Sequence, residues 1–110
     1  MADFYEITTE NFENDVLGSD KPVLLEFGAI WCGPCKMLEP VLKEIADDMG
    51  DSVLVAKVDV DHHPQIASTY SVLSMPTTIL FKDGEVMERL VGYQPKERIT
   101  SKIEPHFQPA

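Results

Sequence analysis

Apolar residues change their spacing several times along this chain, and that alternation limits its fold more than any other feature. Nearly continuous apolar runs at residues 23–28 and 53–60 predict strands buried on both faces. Residues 34–49 predict a long helix, which Pro40 should kink and Gly50 should end. Its apolar stripe at helical spacing comprises Met37, Leu38, Val41, Leu42, Ile45 and Met49. Alternation of strands and helices predicts parallel strands with helices on both faces of the sheet.

Shorter segments complete the pattern. Asp83-Gly84 between two strand-like runs predicts a hairpin, so the sheet should be mixed. Pro105 should disturb the last turn of the final helix, which carries Ile99, Ile103 and Phe107 on one face. The predicted segments are strands at 4–7, 77–81 and 86–91 and helices at 9–17, 64–70 and from 96 onward. The order β-α-β-α-β-α-β-β-α places the chain in the α/β class.

Size and charge narrow the function classes. A chain of 110 residues fits a single domain over 1–110. Its net charge of −10 disfavours a nucleic acid or an anionic membrane as the main partner. No apolar stretch is long enough to span a membrane, and the first residues show no basic region followed by an apolar run. We therefore expect a cytosolic protein.

The two cysteines, Cys32 and Cys35, lie directly after a predicted core strand and at the start of the long helix. A disulfide that closes so short a loop would stabilise the fold very little, so the pair is expected to be catalytic or metal-binding. Unpaired N–H groups at a helix start stabilise a thiolate, which makes Cys32 the expected attacking sulfur. Cys35, one turn later, is then the resolving sulfur. Gly33 allows close approach of a substrate chain, and Pro34 stiffens the turn.

Zinc is the main alternative use of such a pair. A structural zinc site needs two further ligands, and the histidines are His62, His63 and His106. Neighbouring side chains at 62 and 63 diverge, so they suit one metal poorly. A second alternative, two buried core cysteines, does not explain the flanking Trp31 or the Gly-Pro spacer. We expect no metal and no bound cofactor, only a redox-active disulfide.

The segment Trp31-Cys32-Gly33-Pro34-Cys35-Lys36 resembles the active-site motif of the thioredoxin family, and the order of elements matches the thioredoxin fold. The resemblance covers essentially the whole chain, including Met75-Pro76-Thr77, Lys82-Asp83-Gly84 and Val91-Gly92. It implies a monomer that reduces disulfides of other proteins and is recharged by an NADPH-dependent flavoprotein, a thioredoxin reductase. The Gly-Pro spacer is similar to that of the reducing members.

The resemblance also implies a substrate-binding surface around a cis bond between Met75 and Pro76. The residues implied are Trp31, Gly33, Pro34, Met75, Pro76, Val91 and Gly92, and Ile30 could extend them. The alternative is that these are scattered surface apolar residues without a role.

Two residues depart from the family pattern. Glu26 replaces the usual buried Asp that helps to move the proton of the resolving thiol, and Gly28 replaces a frequent Trp. In a core strand, the pKa of the Glu26 carboxyl should be raised, with Lys57 on the next strand as its charge partner. The extra methylene shifts the carboxyl by about 1.5 Å, so we expect it to reach Cys35 only through a water.

Two other functions stay open from the residues. A disulfide isomerase or oxidant on the same fold would leave the pair mostly reduced after equilibration with glutathione, whereas a reductant would leave it mostly oxidised. A non-catalytic binding subunit would keep its biological activity when both cysteines are replaced by serine.

Overall fold

The computed structural model describes residues 4–107. Within this range lie five strands, three α-helices and three short irregular helical segments. The strands are β1 (Tyr5–Ile7), β2 (Val23–Gly28), β3 (Leu54–Asp59), β4 (Thr77–Lys82) and β5 (Glu85–Val91). The helices are α1 (Gly33–Met49), α2 (Pro64–Thr69) and α3 (Lys96–Ile103), with a π-helical segment at Glu13–Leu17 and 3₁₀ turns at Gly50–Ser52 and Glu104–Phe107. The domain predicted over 1–110 extends past the described residues at both ends.

The five strands form one sheet in the order β1-β3-β2-β4-β5. β3 pairs in parallel with β1 and β2, whereas β4 pairs antiparallel with β2 and β5. The predicted mixed sheet is therefore confirmed. All six residues of β2 are buried, in agreement with its apolar sequence.

Alternate residues of β2 point to opposite faces of the sheet. Leu24 belongs to the core beneath α1 and α3, while Leu25 and Phe27 belong to the core beneath α2 and the π-helical segment. Helices cover both faces, as predicted. Glu26 and Gly28 follow Leu24 at strand spacing, so their positions lie on the face that α1 covers.

Helix α1 begins at the cysteine motif and continues through Pro40 to its C-cap, Gly50, which has a φ of 54°. Three members of the predicted stripe, Leu38, Leu42 and Ile45, are fully buried. Met37 is the exception, because its side chain is 62% exposed. Including Met37 in the stripe was wrong, since it lies one position away from Leu38 and so about 100° around the helix.

The first predicted helix, over 9–17, is wrong in its extent, because only Glu13–Leu17 is helical and its turn is π-helical. Thr8 and Asn11 cap the turn that precedes this segment. The Thr8 N–H donates to Asn11 Oδ1 at 2.7 Å, and the Asn11 N–H donates to Thr8 Oγ1 at 3.2 Å. This reciprocal pair satisfies two N–H groups that have no backbone acceptor at the start of a helical turn, and the Phe12 N–H then donates to the Thr8 carbonyl at 3.0 Å.

The other boundaries differ by one or two residues, within the usual spread at element ends. The β4–β5 hairpin is confirmed: Asp83 and Gly84 both have positive φ, at 54° and 80°. That pair of conformations matches the twist of the flanking strands. α3 ends before Pro105 and is followed by a 3₁₀ turn, as the proline predicts. None of the described helices is long and apolar enough to cross a membrane.

Candidate active site

Cys32 and Cys35 form a disulfide at the beginning of α1, with their Cα atoms 5.3 Å apart. Cys32 is the N-cap of the helix, and the Cys35 N–H donates to Cys32 Sγ at 3.1 Å. Pro34 occupies an early helical position where its missing N–H costs no hydrogen bond. The arrangement predicted from sequence is therefore present.

The start of α1 favours negative charge on the Cys32 sulfur. The first turn of the helix contains no acidic residue that would cancel the positive end of the helix dipole. The hydrogen bond from the Cys35 N–H and the helix dipole both stabilise negative charge on a sulfur in this position. Both cysteines are nearly inaccessible, with Cys32 3% exposed and Cys35 1% exposed.

Glu26 is the one buried carboxylate in the described part of the chain, with 1% of its surface exposed. Its Oε2 has no hydrogen-bond partner among residues 4–107. Burial and, to a smaller extent, the negative charge of Glu39 raise the pKa of this carboxyl to about 8, while the Lys57 ammonium group opposes both effects. The pKa of Glu26 is therefore close to neutral pH, where an exposed carboxyl is fully ionised.

Cys35 and Glu26 meet at Gly28. A methyl group on the Cα of Gly28 would lie 3.2 Å from Cys35 Sγ and 3.3 Å from Glu26 Oε2. The sulfur and the carboxyl oxygen are consequently at most about 6.5 Å apart, a span that a single water molecule can bridge.

Lys57 lies opposite Glu26 in the register of β2 and β3. Glu26 and Lys57 form no ion pair in the described part of the chain, so Lys57 acts on Glu26 through longer-range electrostatic attraction. Glu39 was missed in the sequence analysis. Its signal was its position four residues after Cys35, which places both on one side of α1.

A cavity of about 660 Å³ lies beside Glu26. Its walls include Gly28, Glu39 and Lys57 together with Glu26. The cavity also reaches Ile30 and His62, both of which are exposed, so it extends from Glu26 towards the protein surface.

The predicted substrate-binding residues gather at one end of the sheet. Thr77 pairs with Phe27 of β2 on one side and with Val91 of β5 on the other. The segment before Thr77 and the segment after Val91 therefore lie at the same end of the sheet as the end of β2. The Gly92 N–H donates to the Pro76 carbonyl at 2.7 Å and joins the two segments. The Met75–Pro76 bond is cis, as the resemblance implies.

Exposure differs among these residues. Ile30 and Trp31 are 75% and 63% exposed, and Val91 is exposed as well. Gly33 and Pro34 are exposed, Met75 and Gly92 are half-buried, and Pro76 is buried. The Trp31 indole N–H donates to Asp61 Oδ2 at 2.7 Å, which fixes the ring beside the cysteines. Asp61 was not recognised from sequence.

Metal ligands are not grouped in the described range: no three or more His, Cys, Asp or Glu residues between 4 and 107 are placed to hold an ion. His62 and His63 instead contact Asp59 and Thr9, respectively.

Comparison with known proteins agrees with this geometry. Residues 3–105 match the family model described as Thioredoxin. The chain is 45% identical over 104 residues to a thioredoxin of Chlorobaculum thiosulfatiphilum, covering 94% of this chain and 96% of the relative. It is 52% identical over 99 residues to a thioredoxin of Mycolicibacterium smegmatis, covering 88% of each chain.

A thioredoxin of Alicyclobacillus acidocaldarius is 47% identical over 97 residues, which cover 88% of this chain and 91% of the relative. With the disulfide at the start of α1, these similarities support a thiol–disulfide oxidoreductase that acts as a protein-disulfide reductase. The fold, the cysteine pair and the relatives agree, and the chain belongs to the thioredoxin family.

Proposed function

We propose that Cys32 is the attacking and Cys35 the resolving cysteine in the reduction of protein disulfides. The observation that carries this assignment is the N-cap position of Cys32, whose sulfur accepts the Cys35 N–H at 3.1 Å. The Cys32 thiolate attacks one sulfur of the substrate disulfide, forms a mixed disulfide and releases the other sulfur as a thiolate, which takes a proton from solvent.

The second step is intramolecular. The Cys35 thiolate attacks Cys32 Sγ, the bond between Cys32 and the substrate breaks, and the substrate leaves as a second thiolate that is protonated. Two electrons and two protons thus pass to the substrate, while the protein gains its internal disulfide. The two-residue spacer keeps the second sulfur next to the first, which favours resolution over escape of the mixed disulfide.

Glu26 accepts the proton of Cys35 during resolution and returns it when the disulfide is reduced again. Its burial, its place beside Cys35 Sγ and a pKa near 8 support this role. Glu39 raises the pKa of this carboxyl and Lys57 lowers it.

The exposed residues Ile30, Trp31 and Val91 supply an apolar surface for substrate. With Gly33, Pro34, Met75, Pro76 and Gly92, they form the proposed substrate-binding set. The substrates are protein disulfides, and an NADPH-dependent thioredoxin reductase recharges the pair. A pool of reduced dithiol requires a reducing compartment, which supports the cytosol as its place of action.

Limited alkylation tests the assignment of the two cysteines. Reduced protein treated with less than one equivalent of iodoacetamide between pH 6 and 9 should be labelled at Cys32, as mapped by mass spectrometry. Cys35→Ser should keep this reactivity at low pH and Cys32→Ser should lose it. Labelling that begins at Cys35 would reverse the assignment.

A Glu26→Gln variant tests the proton role. It should slow resolution of the mixed disulfide by about 10-fold or more near neutral pH, while attack by Cys32 is little changed. Glu104→Gln, which alters an exposed carboxylate, is the matched control. An unchanged rate and pH profile in Glu26→Gln would exclude the role.

A further inference from the structure

Gly28 lies at the end of β2, where its backbone does not require glycine. Its φ is outside the left-handed region that only Gly50, Gly84 and Gly92 occupy among the described glycines. Glycine weakens a strand relative to residues with side chains, and it often marks a place where another group approaches closely. The close neighbours of Gly28, and not its backbone conformation, therefore account for glycine at this position.

That space is bounded by the two groups that exchange a proton in the proposed mechanism. A Cβ at position 28 would lie 3.2 Å from Cys35 Sγ, 3.5 Å from Cys35 Cβ and 3.3 Å from Glu26 Oε2. The contacts with Sγ and Oε2 are closer than ordinary van der Waals contacts. A methyl group would crowd both atoms at once and take up the space next to each of them.

One or both neighbours would have to shift to admit a side chain at position 28. Cys35 is in the first turn of α1 and is bonded to Cys32. The Glu26 side chain is buried, with Lys57 opposite it in β3 and Thr78 opposite it in β4. A side chain at position 28 would thus displace the carboxyl or the sulfur from their present places.

We propose that Gly28 is a positioning residue that keeps open the space between Cys35 Sγ and Glu26 Oε2 through which the proton of Cys35 passes. This rests on the proposed proton role of Glu26. Gly28 and Glu26 form a size-matched pair: the longer carboxylate fills room that a side chain at position 28 would need. Asp at position 26 would withdraw the carboxyl by about 1.5 Å and so tolerate a methyl group at position 28.

The titratable groups that line the cavity beside Glu26 come from four parts of the chain. They are Lys36 and Glu39 on α1, Lys57 and Asp59 on β3, Glu6 on β1, and His62 and His63 after β3. None of them is altered in the variants below, so a pH profile that differs between Gly28→Ala and wild type reports on the space at position 28.

The test uses the reduced full chain and 5,5′-dithiobis(2-nitrobenzoate) in stopped flow. The first equivalent of released thionitrobenzoate reports attack by Cys32, and the second reports resolution by Cys35. The four proteins are wild type, Gly28→Ala, Glu26→Asp and the double variant, each measured from pH 5 to 10.

Gly28→Ala should slow the second phase by about 10-fold and shift its pH midpoint, with the first phase within about twofold of wild type. In the double variant, the second phase should return to that of Glu26→Asp alone. If Gly28→Ala does not fold, a folded double variant with this recovered rate supports the proposal equally.

Two outcomes would overturn the proposal. One is an unchanged second phase in Gly28→Ala, and the other is a double variant that does not fold or is no faster than Gly28→Ala. Glu26→Gln separates this failure from that of the proposed function. If Glu26→Gln slows resolution and Gly28→Ala does not, only the role of Gly28 fails, whereas an unaffected Glu26→Gln removes the proton role itself.

Discussion

The surroundings of Glu26 shift the pKa of its carboxyl in opposite directions. Burial and the Glu39 carboxylate favour its neutral form, while the Lys57 ammonium group favours the charged form. The burial could be predicted from sequence, because Glu26 lies between Leu25 and Phe27 in an apolar run. The position of Glu39, four residues after Cys35, places it on the same side of α1, but its effect on the pKa of Glu26 depends on how α1 lies across β2, which the sequence does not show.

Charge removal at these two neighbours should move the pKa of Glu26 in opposite directions. Glu39→Gln removes a negative charge and should lower it, whereas Lys57→Met removes a positive charge and should raise it. Carboxyl ¹³C shifts of Glu26, followed by NMR across pH in the oxidised protein, measure both. Shifts of the same sign in the two variants would contradict this description.

The same carboxyl should make stability depend on pH. The pKa of Glu26 is about 8 in the folded protein, above the ordinary value of 4.5 for a glutamate carboxyl. The folded state therefore holds the proton more tightly, and the free energy of unfolding should fall as pH rises from about 4.5 to about 8. The fall should be about 3 kcal/mol by pH 7.

Urea unfolding of the oxidised protein measures this dependence. Glu26→Gln cannot ionise and should lack the fall that wild type shows. Parallel stability curves for the two proteins over this pH range would show that Glu26 does not carry the effect.

At the scale of elements, α1 links the chemistry to the core. Its apolar spacing predicted the helix and most of its buried face, and the cysteine motif predicted its start. The first helix was placed less well, because a turn capped by Thr8 and Asn11 precedes the π-helical segment at Glu13–Leu17. Apolar spacing does not distinguish such a turn from the first turn of an α-helix.

Two substitutions in α1 test the corrected face of this helix. Leu42→Ala removes a fully buried side chain and should lower the free energy of unfolding by about 2–5 kcal/mol. Met37→Ala, at an exposed position, should change it by less than about 0.5 kcal/mol. Equal losses in urea unfolding would mean that both residues are in the core.

The β4–β5 hairpin depends on Gly84. Its φ of 80° disfavours a side chain, and a Cβ there would lie 3.2 Å from the Leu17 carbonyl oxygen. Gly84→Ala should lower the free energy of unfolding by about 1–2 kcal/mol.

Gly33→Ala is the matched control for stability, since a Cβ at Gly33 would have no neighbour within 4 Å. It should change the free energy of unfolding by less than about 1 kcal/mol. If Gly84→Ala cost no more than Gly33→Ala, the turn would not need glycine.

At the scale of the whole molecule, one sheet separates two cores and brings the functional segments to the same end. The alternation of elements predicted the covering helices, the closing hairpin predicted the mixed sheet, and the cysteine motif predicted the site. The meeting of Cys35 and Glu26 at Gly28 depends on the register of β2 against α1, which spacing along the chain does not determine.

Covalent trapping tests the unequal roles of the two cysteines most directly. Reduced Cys35→Ser is mixed with a disulfide-bonded protein and analysed by non-reducing gel and mass spectrometry, with wild type and Cys32→Ser in parallel. Cys35→Ser should hold the substrate on Cys32 in a complex that dithiothreitol releases, while wild type reduces the substrate and keeps none of it. Capture of the substrate on Cys35 by Cys32→Ser, with none by Cys35→Ser, would contradict the assignment.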